Sequence, residues 1–108
     1  MEKSSVGLDS NVAGALAYAM GWVTGIAFLL TERNSRFVKF HALQSTIAFG
    51  ALSLAWMISL SIPIFGWLLA FVVLPPFSVF LWLFMMFKAY QGELYKLPVA
   101  GDMAEQRI

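Results

Sequence analysis

Charged side chains fall in clusters along the chain, separated by two long apolar runs. Between Asp9 and Glu32 lies an uncharged run of 22 residues, Ser10 to Thr31, and between Lys39 and Lys88 a second of 48, Phe40 to Phe87. About 20 apolar residues in a helix cross a hydrocarbon core roughly 30 Å thick, so the first run holds one crossing and the second holds two. The pattern predicts an all-α integral membrane bundle of three transmembrane helices, over residues 12–31, 41–61 and 65–87. These form a single membrane domain, 1–108, with an interfacial tail at 88–108. A secretory signal has an apolar region of only about 7–15 residues followed by a small-residue cleavage site. The first run is longer and ends Phe28-Leu29-Leu30-Thr31-Glu32, which reads as a retained span.

Local signals agree with this division. Asp9, Ser10 or Asn11 is suited to cap the first helix, and Asn34 or Ser35 the second. The string Ile62-Pro63-Ile64-Phe65-Gly66-Trp67 has the composition of a tight apolar turn with an interfacial anchor. Pro75-Pro76 lies inside the third span, where two missing N–H groups free the carbonyls near Phe71 and Val72. The pair is read as a kink in a continuous helix, with Ser78 and neighbouring helices satisfying the backbone. Charge supports three full crossings. They place six Lys/Arg (positions 33, 36, 39, 88, 96 and 107) on one side against Lys3 alone, and the positive side is cytoplasmic. The expected topology is multi-pass in the cell membrane, with the N-terminus outside and the C-terminus cytoplasmic.

Composition narrows the chemistry. The 108 residues are 60% hydrophobic and 12% charged, whereas soluble domains carry about 25% charged residues. With no cysteine there is no disulfide, thiolate metal site or thiol nucleophile. A net charge of +1 offers no broad face for nucleic acid. No zinc-protease, nucleophile-elbow or phosphate-loop motif is present, and positions 42–87 hold no ionisable group for charge-coupled transport. The expectation is no enzyme and no cofactor. The partners expected are membrane lipid and a homo-oligomer or membrane-protein complex.

Two residue sets stand out inside the spans. Ala13, Ala17, Gly21 and Gly25 recur every four residues and leave a smooth stripe where another backbone comes close. Ala51, Ala55 and Ser59 make a comparable stripe on the second span, so the two are expected to pack on each other, with oligomerisation as the sharper alternative. His41, Gln44 and Ser45 sit at i, i+3 and i+4 on one helical face that Ala48 continues, and polar groups at membrane depth face protein or water rather than lipid. Read structurally, His41 and Gln44 hydrogen-bond the first loop, with Glu32 as the acceptor. Read functionally, the three form a polar interface or pore mouth, with Thr46, Gly50 and Ser53 further along a lumen.

The strings Arg36-Phe37-Val38-Lys39-Phe40-His41-Ala42-Leu43-Gln44-Ser45, Lys88-Ala89-Tyr90-Gln91-Gly92 and Tyr95-Lys96-Leu97-Pro98-Val99-Ala100-Gly101-Asp102 resemble a family of small prokaryotic membrane proteins of unassigned function. Phe-His-Ala-x-Gln-Ser is fairly specific for that family. That family is distantly similar to the channel-forming Tic subunit of chloroplast protein import. The resemblance covers nearly the whole chain and implies an integral membrane protein. The first expectation for function is a non-enzymatic packing or assembly subunit, with Arg33, Arg36, Lys39, Lys88 and Lys96 as its cytoplasmic basic face. The alternatives are a pore or protein-translocation component, which the Tic likeness implies, and lipid or small-molecule binding in a groove at the proline kink.

Overall fold

In the computed structural model, which describes residues 3–5, 7–33, 35–97 and 99–107, the long uncharged run folds into a helical hairpin. Among the described residues the helices in chain order are α1 (Ser10–Leu16), α2 (Trp22–Thr31), α3 (Arg36–Ser61), α4 (Phe65–Tyr90) and α5 (Ala100–Arg107). No strand occurs among them. Helices α3 and α4 have 26 residues each, about 39 Å at 1.5 Å per residue, and both are long and apolar enough to cross a bilayer. Ser35 starts α3 by accepting a hydrogen bond from the Val38 N–H at 3.2 Å. Asn34, the other expected cap, lies outside the described residues.

The turn between the two arms closes tightly. Ile64 takes φ +66°, Trp67 Nε1 donates to the Leu60 carbonyl at 3.0 Å, and Gly66 lies so close to the Ser59 carbonyl that no side chain fits there. Helix α4 then winds as α over Phe65–Leu68, as π over Leu69–Val73 and as α again over Leu74–Tyr90. The Leu74 N–H reaches back five residues to Leu69. The turn is thereby widened where the rings of Pro75 and Pro76 would press on the carbonyls of Phe71 and Val72. The expected proline feature therefore takes the form of a π turn in a helix that continues to Tyr90. Ser78 does not supply the anticipated backbone bond, since its buried hydroxyl has no hydrogen-bond partner among the described residues.

The first apolar run departs from expectation. Residues 12–31 are not one helix but two short ones, of 7 and 10 residues, about 10 and 15 Å long and each too short to cross a core of roughly 30 Å. The break follows from Gly21, whose φ of +62° and ψ of −132° are closed to residues with a Cβ. Helix α1 runs along α3 in the same direction, with Gly14 against Phe37 and Tyr18 at His41. Gly21 packs on Phe49, and α2 then returns along α3 with Gly25 against Ala42 and Thr46. The two ends of the segment meet again at its starting point. Ser5 N donates to both carboxylate oxygens of Glu32 at 3.0 and 2.9 Å, and the Ser10 and Ser35 hydroxyls are 2.9 Å apart.

A helix break inside apolar packing leaves carbonyls that need new partners, and side chains of α2 and of both long helices take them up. Thr24 Oγ1 donates to Ala17 O at 3.1 Å, Trp82 Nε1 to Ala19 O at 3.1 Å and Ser45 Oγ to Gly21 O at 2.9 Å. Helix α1 thus lies wedged between α3 and α4, where Tyr18, Phe49, Met85 and Ala89 form the core. Asn11 Nδ2 ties its start to the Tyr90 carbonyl at 2.9 Å.

The tail also turns inward instead of lying flat. Gly92, at φ +83°, turns the chain off α4. Residues 93–97 then run as an irregular segment along α3, and α5 doubles back so that Glu105 pairs with Lys96. The N-terminal segment, the 32–35 loop and the tail therefore gather at one end of the molecule, and every Lys and Arg belongs to these segments or to the adjoining helix ends.

Candidate functional site

His41, Gln44 and Ser45 project from one face of α3, as their spacing requires, and all three are fully buried. The His41 Nε2–H donates to the Glu93 carbonyl at 2.8 Å. That bond leaves Nδ1 without a proton, so it accepts from the Tyr18 hydroxyl at 2.7 Å. Tyr18 in turn accepts from Gln44 Nε2 at 2.9 Å. The other proton of that amide goes to the Tyr95 carbonyl at 2.9 Å, and Gln44 Oε1 accepts from the Leu97 N–H at 2.8 Å. One amide thus clasps the main chain of the tail on both its donor and its acceptor side. Aromatic edges enclose the imidazole, with Phe37, Phe40 and Tyr18 at centroid distances of 4.6, 5.3 and 5.5 Å.

The arrangement is a clamp. Side chains of α3 hold the turn between α1 and α2 through Tyr18 and Gly21, and the tail through three backbone atoms. Each hydrogen bond joins segments at least 23 positions apart in sequence. Glu32 is not part of it. It is 3% exposed and accepts from Ser5 N, Ser5 Oγ and Ser35 N, the last at 2.8 Å, so it joins the N-terminal segment to the loop. Thr46 and Ser53, proposed as lumen lining, donate to their own helix, to Ala42 O at 2.8 Å and Phe49 O at 2.9 Å. Gly50 has open space beside it.

Of the small-residue stripe, Ala13, Ala17 and Gly25 are buried and Gly21 half-buried, all within the chain. The glycines of this stripe meet α3 at Ala42, Thr46 and Phe49 and not at Ala51, Ala55 or Ser59. Ala51 is exposed, Ala55 half-buried, and Ser59 is buried under Gly66. Two participants escaped sequence reasoning. Tyr18 and Trp82 both carry a polar tip on an apolar body, and a tyrosine in the middle of an uncharged run is a signal in itself, because so deep a hydroxyl needs a partner.

The basic residues divide into two groups. Lys3 pairs with Asp9 at 2.7 Å and holds that carboxyl below its usual range, which diverts Asp9 from capping α1. Lys88 pairs with Glu93 at 3.0 Å and lies over the Phe84 and Tyr95 rings. Lys96 pairs with Glu105, which raises the Lys96 pKa. Arg33, Arg36, Lys39 and Arg107 have no carboxylate partner among the described residues.

The model of the magnetosome magnetite crystal formation protein family matches residues 6–104. The chain belongs to that family. It is 52% identical over 107 residues to a UPF0132 membrane protein of Methanocaldococcus jannaschii, covering 98% of this chain and 94% of the relative. It is 50% identical over 105 residues to a UPF0132 membrane protein of Archaeoglobus fulgidus, covering 94% and 97%. A second M. jannaschii UPF0132 membrane protein is 46% identical over 102 residues, 94% of this chain and 72% of that one. No solved structure matches. With two helices able to span a bilayer and relatives named as membrane proteins, the chain is a member of a small prokaryotic membrane-protein family.

Proposed function

We propose that this family member is a non-enzymatic membrane assembly subunit, which self-associates or joins a larger membrane complex and has its charged end in the cytoplasm. The observation that carries the reading is the closure of the polar network. His41, Gln44 and Ser45 spend their hydrogen bonds inside the chain, on Tyr18, Gly21 and the tail, and so build a rigid unit. The flanks of α3 and α4 carry the exposed apolar residues Leu54, Ile58, Phe71 and Phe80, a surface for lipid and neighbouring helices.

The orientation follows from charge. With the first segment folded back, all seven Lys/Arg lie towards one end of the hairpin, and the positive-inside bias makes that end cytoplasmic. Both termini are then cytoplasmic. A pore, the reading suggested by the likeness to the Tic subunit, draws less support, because Thr46 and Ser53 are bonded to their own helix and the expected mouth is sealed by the tail. Magnetite crystal formation, the process in the family's description, would fit such a subunit as an organiser of membrane. Metal ligation by a single chain is not part of the proposal.

Amine-reactive crosslinking in native membranes, read by mass spectrometry, tests this reading. Lys39, Lys88 and Lys96 should give crosslinks to a second copy or to a recurrent membrane partner. Monomer alone, with no partner at any crosslinker length, overturns it.

A further inference from the structure

Beside the latched tail, α3 and α4 part to leave a groove of about 450 Å³. Ala48, Ala51 and Leu52 lie along its α3 side, Phe77 and Leu81 come from α4, and Leu97 closes one edge. The volume falls in the range of small-molecule sites, roughly 300–1,000 Å³. Every lining residue is apolar, and a held water needs two to four polar partners, so the occupant is apolar. A helix 10–12 Å across fills on the order of 500 Å³ per turn, so the groove admits about one turn of a helix. A single methylene chain enters it along its length.

Charge selects the other end of the occupant. Lys39, Leu43 and Ile47 follow one another at i, i+4 and i+8 on a single ridge of α3, and Ile47 lines the groove. Lys39 stands about 12 Å from Ile47 along the helix axis, toward the charged end, with Arg36 about one turn further. Lys3, Lys88 and Lys96 each have an acidic partner, whereas Arg36 and Lys39 have none among the described residues. We propose that the groove holds one acyl chain of an anionic phospholipid whose phosphodiester headgroup is bound by Arg36 and Lys39. The site is independent of the assembly reading, because a monomer would bind the lipid as well.

Native mass spectrometry of the protein released from nanodiscs of equal phosphatidylglycerol and phosphatidylcholine tests it. The expected result is one retained phosphatidylglycerol per chain, preferred by about fivefold for each cation engaged. Ala51→Phe should abolish retention of either lipid without lowering the melting temperature, and Leu81→Trp, which fills the groove from the other wall, should do the same. Arg36→Gln combined with Lys39→Gln should keep a bound lipid but lose the headgroup preference. Unchanged phosphatidylglycerol retention in both filling variants overturns the proposal, as does an undiminished preference in the double glutamine variant. A wild type that carries no lipid but is dimeric, and becomes monomeric on Ala51→Phe, also overturns it, for the groove is then an interface between copies.

Discussion

Gln44 makes three hydrogen bonds with one amide, two of them to the backbone of the tail. Gln44→Leu keeps the bulk and leaves the Tyr95 carbonyl and Leu97 N–H without partners, at a cost of about 1–3 kcal/mol for each buried group. The tail should then leave α3, and limited trypsin should cut after Lys96 many times faster than in the wild type. Equal cleavage rates would refute the latch. Tyr18→Phe keeps the ring edges against His41 and Phe49 but strips His41 Nδ1 of its donor. A loss of about 1–3 kcal/mol is expected in reversible unfolding in detergent. The polar face itself was legible, because i, i+3, i+4 spacing fixes which side chains share a side of a helix. Its partners were not. Glu32 was the nearest acceptor in sequence, but the backbone carbonyls of residues 93 and 95 carry no side-chain signature that a reading of residue types could use.

Whether the first apolar run crosses or turns back depends on one dihedral angle. Gly14, Gly21 and Gly25 look alike in sequence as sites of close approach, and Gly14 and Gly25 are that, since a Cβ at Gly25 would meet Thr46 Oγ1 at 2.8 Å and Ala42 O at 2.9 Å. Gly21 differs in needing φ +62°, with Phe49 only at ordinary contact distance, 3.4 Å. Gly21→Ala should therefore destabilise by about 1–3 kcal/mol through strain, visible as a lower melting temperature, and an unchanged melt would contradict the turn. The two long helices were legible to within a few residues because their apolar runs are uninterrupted. The π turn was not, although the proline pair marks its place. Pro75→Ala returns an N–H opposite the Phe71 carbonyl. The infrared band of a ¹³C-labelled Phe71 carbonyl should then shift to lower frequency, and a fixed band would mean that the carbonyl already has a donor.

The molecule as a whole is a membrane hairpin with one crowded end. The N-terminal segment, first loop and tail are fastened there by Glu32, Asn11, His41 and Gln44, while the opposite end is the short turn at residues 62–64. Charge counting along the sequence set six cations apart from Lys3. Three crossings put Lys3 across the membrane from the other six cations, whereas folding back the first segment brings it among them. Hydropathy could not separate these cases, because a re-entrant pair of short helices and a single span have the same apolar length. The direct test uses the natural absence of cysteine. Single cysteines at Leu8, Arg36, Lys96 and Ile64 are labelled with a membrane-impermeant maleimide on right-side-out and inverted vesicles. Positions 8, 36 and 96 should react together from the cytoplasmic face and position 64 from the other. Reaction of position 8 together with position 64 would contradict it.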